Sequence, residues 1–169
     1  VDTLYSMSAQ QSFSAHTELI AQLLAFIEHV ADKSALSLDA EIDSHYLAQA
    51  MSVELPRLIE YMGQIRALGS GIAARMALNP EEKIRLIVLL GLIESSADAL
   101  NINIQSAIKA NPKQEPIQKT TRIGLAWAMS VKYSVQQGFI DSHAINLGPS
   151  EFFASVTDAI EQNFKVHDA

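Results

Sequence analysis

The chain has 169 residues, with 12 lysines and arginines against 19 aspartates and glutamates, and a formal net charge of −7. Its length suits one domain with a substantial core, and its acidic balance argues against a nucleic-acid partner, which would require a basic face. The absence of cysteine excludes a disulfide framework, a thiolate zinc site and a cysteine nucleophile. We therefore treat residues 1–169 as a single domain.

The first two predicted helices are defined by apolar residues that recur at alternating steps of three and four, which is typical of helices sharing a bundle core. The stripe of the first helix consists of Phe13, Thr17, Ile20, Leu24, Ile27 and Ala31. After a polar connection, Ser37 or Asp39 could cap the second helix, and Asp43 would lie in its first turn. The stripe of the second helix consists of Met51, Leu55, Leu58, Met62, Ile65, Gly69, Ile72 and Met76.

Pro56 lies inside the second predicted helix. A proline at an interior position removes one backbone hydrogen bond, here to the carbonyl of Ser52, and bends the helix axis. Because the apolar stripe continues on both sides of Pro56, we expect a kinked helix and not a break. A sharp hinge at this position would instead divide the chain into six helical segments rather than five.

The third helix has the clearest start signal. Asn79 is in position to be the N-cap, Pro80 is the first helical residue, and Glu82 would face the positive end of the helix. Its stripe consists of Leu86, Leu90, Ile93, Ala97, Leu100, Ile104 and Ala107. At ~1.5 Å per residue this helix would be roughly 45 Å long. The longest unbroken apolar run, residues 86–93, is shorter than the roughly 20 residues needed to cross a bilayer, so we expect no membrane span.

Two further helices complete the predicted fold. One covers about residues 115–137 with a stripe of Ile123, Trp127 and Val131, and it ends at Gly138. The last begins near Pro149, and it is predicted to bury Phe153, Val156, Ile160 and Phe164. No strand pattern or internal repeat is evident. We predict an all-α fold, an elongated antiparallel helical bundle that resembles a four-helix bundle and contains five or six helical segments.

The sequence contains no recognisable catalytic or metal-binding motif. Its histidines form no i, i+4 pair, and the Glu-x-x-His pattern of di-iron bundles is absent. A phosphate-binding loop, a dinucleotide fingerprint and a nucleophile elbow are also missing. His29 and Asp32 could share a helix face, but this pair is a weak pattern for a metal site. We predict a protein that is not an enzyme, with no catalytic residue, no metal and no cofactor.

The stretch YMGQIRALGSG, residues 61–71, raises a question because it places three glycines and Arg66 inside a helix. Each interior glycine costs roughly 0.5–1 kcal/mol relative to alanine. One interpretation is close helix packing, with Trp127 or a phenylalanine against the backbone of Gly69. The other is a ligand site, because glycines open space beside a guanidinium whose fork matches a carboxylate. Arg66 itself could instead reach solvent or pair with a structural carboxylate.

Three other residues are candidates for ligand binding, each with a structural alternative. Asp43 is also expected as a helix-start residue, as is Ser44, and Trp127 as a core residue. Tyr46 lies about twenty residues before Arg66, roughly 30 Å along a helix at ~1.5 Å per residue. These residues therefore line one pocket with Arg66 only if the kink or another segment brings them together.

Two stretches carry a family resemblance. Residues 30–51, VADKSALSLDAEIDSHYLAQAM, and residues 55–72, LPRLIEYMGQIRALGSGI, resemble the extracytoplasmic sensor region of bacterial methyl-accepting chemotaxis proteins and related transmembrane sensor kinases. The tail GPSEFFASVTDAIEQNFKVHD, residues 148–168, is similar to the helix that precedes their second membrane span. The matching residues are Asp39, Asp43, Ser44, Tyr46, Pro56, Gly63, Arg66 and Gly69. The chain differs from the residues typical of that family at four positions, Ala40, His45, Ala48 and Gln49.

The resemblance implies a periplasmic domain of an inner-membrane receptor, anchored by flanking membrane spans outside this chain and paired as a homodimer. Such a domain binds a small molecule or a binding protein and relays a helix displacement to cytoplasmic signalling modules. In this interpretation Arg66, Tyr46, Asp43 and Trp127 are the candidate ligand-binding residues, and Arg66 would contact an anionic group. The alternative is a structural or protein-interaction bundle without a small-molecule ligand, in which the glycines serve packing alone.

Overall fold

The computed structural model describes residues 7–33 and 41–169, with only the backbone for Ala9. The predicted caps Ser37 and Asp39 lie outside these residues. The described chain contains no strand, and the prediction of an all-α bundle is confirmed. The helices are α1 Ala9–Lys33, α2 Ile42–Gln49, α3 Leu55–Arg75, α4 Pro80–Ala110, α5 Pro116–Val135 and α6 Pro149–His167.

Four helices, α3, α4, α5 and α6, form the core of the bundle. Helix α3 packs against α4 and α6, and α5 packs against the same two helices. Each of the four therefore has two neighbours in the core. The predicted stripe of α4 is buried along its whole length, as is that of α3 from Leu55 to Ile72. Met76, at the end of the second stripe, is 74% exposed because it adopts a left-handed conformation that ends α3. Met51, at the start of the second stripe, is half-buried, and the other residues of these two stripes are buried as predicted.

The chain is continuously helical from α2 into α3, as expected for the segment that contains Pro56. A wide turn at Ala50–Glu54 precedes α3, and in it the N–H of Leu55 donates to the carbonyl of Ala50, five residues back. This shift in hydrogen-bond register places Pro56 in the first turn of α3, where its missing N–H has the lowest cost. Pro56 therefore does not end the helix.

Helix α4 starts with the predicted cap. The Asn79 side chain accepts from the N–H of Glu82, and the Glu82 carboxylate accepts in return from the N–H of Asn79. By length and composition α4 could cross a membrane, with a mean hydropathy of 1.4 over its most apolar window. The length of the longest unbroken apolar run, residues 86–93, did not indicate this property, because Glu94 ends that run while the helix beyond it stays largely apolar. In the bundle 39% of that window is buried, so the apolar residues on the inner face of α4 are explained by packing in the core.

Helix α1 lies on the outside of the four-helix core. None of its side chains over residues 10–33 is buried. An ion pair of 2.6 Å joins Glu28 to Arg57, and the Arg85 guanidinium lies 4.5 Å from the Phe13 ring centroid. These contacts set α1 antiparallel to α3. The described chain therefore makes five antiparallel helical passes.

The predicted buried faces of α5 and α6 were partly wrong. On α6, Val156 and Ile160 are buried as predicted, but Phe152 is buried while Phe153 is 48% exposed and Phe164 54%. The buried face of α6 includes the polar residue Asn163, so it could not be recognised as a continuous apolar stripe in the sequence.

On α5 the expected core residues Ile123 and Trp127 are 42% and 37% exposed, whereas Val131 is buried as predicted. Gly124 and Ala128 occupy the inner face instead, because a Cβ at Gly124 would lie only 2.9 Å from Asn163 Oδ1. Small residues on this face allow α5 and α6 to pack closely.

Candidate ligand-binding site

A groove of about 710 Å³ lies between α1, α3 and α6. It exists because the inner stripe of α1 faces α3 and α6 without closing against them. The walls are mostly apolar, and the side chains that define them include Phe13, Ile20, Leu24, Ile59, Ile160 and Phe164. The polar residues at the groove are His16, Thr17, Ser52, Glu60, Gln64, Arg66 and His167.

Arg66 lines this groove from the middle of α3. Its Nη1 donates to Thr157 Oγ1 at 3.0 Å, and its guanidinium carbon lies 4.7 Å from the centroid of the Phe153 ring. The Thr157 hydroxyl donates in turn to the backbone carbonyl of Phe153 at 2.8 Å. Both contacts come from α6. Phe153 is partly exposed because its ring packs against the Arg66 guanidinium and not in the core.

The charge of Arg66 is not neutralised by a carboxylate anywhere in residues 7–33 and 41–169, where its ion-pair distance contains no Asp or Glu oxygen. A guanidinium has five N–H donors, and Thr157 takes only one hydrogen bond from them. Arg66 is half-buried, so solvent screens this charge less than that of an extended surface arginine. The group therefore has the charge, the donors and the position to receive an anion.

Two glycines near Arg66, Gly69 and Gly63, have different surroundings and therefore different structural roles. A Cβ at Gly69 would lie 2.3 Å from Cε1 of Phe152, so this glycine permits close approach of α6. The packing interpretation is confirmed here with a phenylalanine, and Trp127 is not the partner. Gly63 differs, because its Cβ would meet nothing nearer than Glu60 Oε2 at 4.0 Å, and it lines the groove one turn from Arg66. Gly63 therefore leaves open space where Gly69 accommodates a ring.

Comparison with known proteins gives the class of this domain. A family model described as nitrate and nitrite sensing matches residues 1–169. The chain belongs to this family. The family consists of extracytoplasmic sensor domains, so the prediction of a sensor domain in signal transduction is confirmed at that level. No curated protein and no solved structure matches the chain.

Glu60 is the carboxylate on the wall of the groove. Gln64 Nε2 donates to Glu60 Oε1 at 2.8 Å. Burial raises the pKa of Glu60, and the hydrogen bond from Gln64 offsets part of that increase. Glu60 lies six residues before Arg66, about 9 Å along the helix at ~1.5 Å per residue, so the groove has a positive and a negative position.

Asp43 of the sensor domain has a structural role at the far end of the bundle. Its Oδ2 accepts from Asn111 Nδ2 at 2.7 Å and from Gln114 Nε2 at 3.2 Å. The hydrogen bond from Asn111, followed by that from Gln114, lowers the pKa of Asp43. Asp43 lies in the first turn of α2, as predicted, and these bonds join it to the connection between α4 and α5.

Tyr46 and Trp127 do not line the groove, and neither does Asp43. Tyr46 is half-buried on α2, with its ring edge-on to His45 at 5.6 Å between centroids. Trp127 lies on α5, 37% exposed. The structure thus brings none of these three to Arg66, and a ligand contact for them stays a prediction.

The contributions of α1 and α6 to the site were not anticipated. Thr157 and Phe153 lie far from Arg66 in sequence, and Phe153 was assigned to the core because its spacing matched an apolar stripe. The groove residues of α1 were interpreted as a closed seam, although Thr17 within that stripe was a sign of incomplete burial. Over the described residues, no group of three His, Asp or Glu side chains could hold a metal ion.

Proposed function

We propose that this chain is the ligand-sensing domain of a transmembrane receptor and that Arg66 binds a small anion, with nitrate and nitrite as the first candidates. The observation that carries the proposal is Arg66, a half-buried residue that lines the groove and has no carboxylate partner among the described residues. Nitrate is a planar oxyanion, and the planar fork of a guanidinium can donate two parallel hydrogen bonds to it.

The size of nitrate limits its affinity. The best very small ligands gain about 1.5 kcal/mol per non-hydrogen atom, so four atoms give at most about 6 kcal/mol. That corresponds to a Kd no tighter than about 40 µM. Nitrite, with three such atoms, should bind more weakly by this bound. A sensor with this site would respond to micromolar or higher concentrations.

The proposed signal passes through α6. Arg66 on α3 is held by Thr157 and Phe153 on α6, so an anion that engages the guanidinium competes with the contacts that join the two helices. A ligand shifts an equilibrium between two conformations only by binding one of them better than the other. In this proposal the two conformations are one in which Arg66 donates to Thr157 and one in which Arg66 donates to the anion instead. We propose that the shift moves α6 relative to α3 by a small displacement of packed helices.

We further propose that the full protein is an inner-membrane receptor whose periplasmic domain is this bundle, anchored by flanking spans outside the chain. The extracytoplasmic nature of the family supports this location. Pairing as a homodimer is also proposed. Exposed apolar side chains on α1 and α4 support it, including Leu23 at 52%, Phe26 at 63%, Ile84 at 64% and Val88 at 54%. Chemotaxis or kinase output would depend on the cytoplasmic modules.

The proposal is tested by isothermal titration of nitrate and nitrite into the purified domain at constant ionic strength. Saturable binding that is abolished in Arg66→Gln and retained in Arg122→Gln is the expected result, because Arg122 is an exposed arginine on α5. If Arg66→Gln binds as the wild type does, the assignment of Arg66 is wrong. If the folded domain binds neither anion, the structural or protein-interaction bundle becomes the better interpretation.

A further inference from the structure

The groove beside Arg66 is much larger than a nitrate ion requires. Its volume of about 710 Å³ falls within the ~300–1,000 Å³ typical of sites for drug-sized molecules. Arg66 occupies one part of it, and the groove continues along α3 and the helical turn before it as far as Met51. That stretch of helix is about 22 Å long at ~1.5 Å per residue. A ligand with more than a charged head is therefore accommodated.

The walls beyond Arg66 are apolar and come from two helices that do not close on each other. Ile20 and Leu24 of α1 line one side, and Ile160 and Phe164 of α6 line another. Leu24 is half-buried and Phe164 is 54% exposed, so apolar surface remains in contact with solvent within a concave site. Removing this surface from water is favourable in proportion to its area, which selects a ligand with an apolar body.

We propose that the groove binds an amphipathic organic anion, a monocarboxylate whose carboxylate meets Arg66 and whose hydrocarbon or aromatic body lies between α1 and α6. The inference rests on the proposed function in using Arg66 as the anion-binding group, and it goes further in naming a second ligand class for the same groove. Gly63 supports it, because this residue lines the groove one turn from Arg66 and a side chain there would enter open space.

Glu60 adds a selectivity for one carboxylate over two. Its carboxylate lies on the groove wall about 9 Å along α3 from Arg66. A dicarboxylate that places one end on Arg66 would direct its other end toward Glu60 or toward the apolar walls. Like charges repel, and an ionised group on apolar surface loses its hydration. A monocarboxylate of the same length avoids both costs.

The test is a calorimetric comparison of hexanoate, decanoate and decanedioate on the same domain. Each methylene group fully removed from water tightens affinity about fourfold, so decanoate should bind at least tenfold more tightly than hexanoate even in a groove that is open to solvent. Decanedioate should bind at least tenfold more weakly than decanoate. Failure of decanoate to bind saturably, or equal binding of the mono- and dicarboxylate, would overturn the proposal.

Matched variants distinguish the groove from general adsorption. Gly63→Leu should weaken decanoate binding at least tenfold by filling the open space, whereas Gly91→Leu should leave it unchanged, because a Cβ at that exposed position meets nothing within 4 Å. Phe164→Ala, at an exposed position, is a second variant that should weaken decanoate several-fold. Circular dichroism confirms folding of each. Equal decanoate binding by all three variants and the wild type contradicts the proposed site.

Nitrate titrations on the same proteins separate this inference from the proposed function. Nitrate binding without decanoate binding would overturn the inference and leave the proposed function standing. Decanoate binding that requires Arg66, without nitrate binding, would support the inference and remove nitrate as the ligand. Competition between decanoate and nitrate at one site is the expected result.

Discussion

Replacing Gly69 by alanine tests the packing of α6 against α3. The added Cβ would lie 2.3 Å from Phe152 Cε1, whereas ordinary contact begins at 3.4 Å, so the ring must move by about 1.1 Å. Phe152 is 2% exposed and packs edge-on to Phe139 at 5.1 Å between centroids. Phe139 itself would lie 3.2 Å from the new Cβ, and it restricts the movement.

The net effect can be estimated from two opposing contributions. Overpacking of a core costs about 1–3 kcal/mol, and the restricted rings favour the upper half of that range. Exchanging glycine for alanine in a helix returns about 1 kcal/mol. Gly69→Ala should therefore lower the free energy of unfolding by about 1–2 kcal/mol, which reduces Tm by roughly 2–8 °C for a domain of this size.

Two other glycines provide matched controls for this substitution. Gly63→Ala and Gly91→Ala add the same methyl group to helices in which no atom lies closer than 4.0 Å to the new Cβ. Both should raise the free energy of unfolding by about 0.5–1 kcal/mol. Chemical denaturation followed by circular dichroism measures all three variants. A Gly69→Ala domain as stable as the wild type would refute the account of the contact between α3 and α6.

Three further substitutions probe local contributions to stability. Asn79→Ala removes the cap of α4 and should cost about 1 kcal/mol, measured as a decrease in Tm, whereas Asn79→Asp should retain most of the stability. Because burial raises the pKa of Glu60, the contribution of this group to stability is greatest below its ordinary pKa and is lost as pH rises through the raised value. Glu60→Gln should therefore melt above the wild type at pH 7, with a smaller difference in acid, and parallel pH profiles would contradict this. Hydrogen bonds from Asn111 and Gln114 lower the pKa of Asp43, so its contribution is present above its ordinary pKa and is lost as pH falls through the lowered value. Asp43→Ala should lower Tm at pH 7 by an amount that shrinks in acid, and a constant difference at all pH values would show that charge is not involved.

The fold was predictable where short-range signals agreed with each other. The start of α4 was correct because a cap, a proline and an acidic residue lie within four positions and specify one local geometry. Its stripe was correct because seven apolar positions kept one register. The α6 face was not predictable in this way, since adjacent phenylalanines fit two stripes equally well. The contact of Phe152 with Gly69 and of Phe153 with Arg66 decides between them, and both contacts are long-range.

Arg66 could be identified from the sequence, but its groove could not. The position of Arg66 at the edge of a stripe, together with neighbouring glycines, distinguished it from the other arginines. The groove depends on α1 packing loosely over α3 and α6, and the 3,4 spacing of α1 is the same for a fully buried and a half-buried helix. Tyr46 and Asp43 were linked to Arg66 by the resemblance alone, and about 30 Å of continuous helix at ~1.5 Å per residue separates them in the structure.

The central claim, that Arg66 is the anion-binding group, can be measured directly by nuclear magnetic resonance of arginine side chains. In a domain labelled with nitrogen-15, the Nε–H signal of Arg66 is assigned by its loss in Arg66→Gln. The account predicts that nitrate shifts this signal saturably, at concentrations that match the calorimetric Kd, while the signal of Arg122 stays in place. An unmoved Arg66 signal in a domain that binds nitrate by calorimetry would contradict the claim.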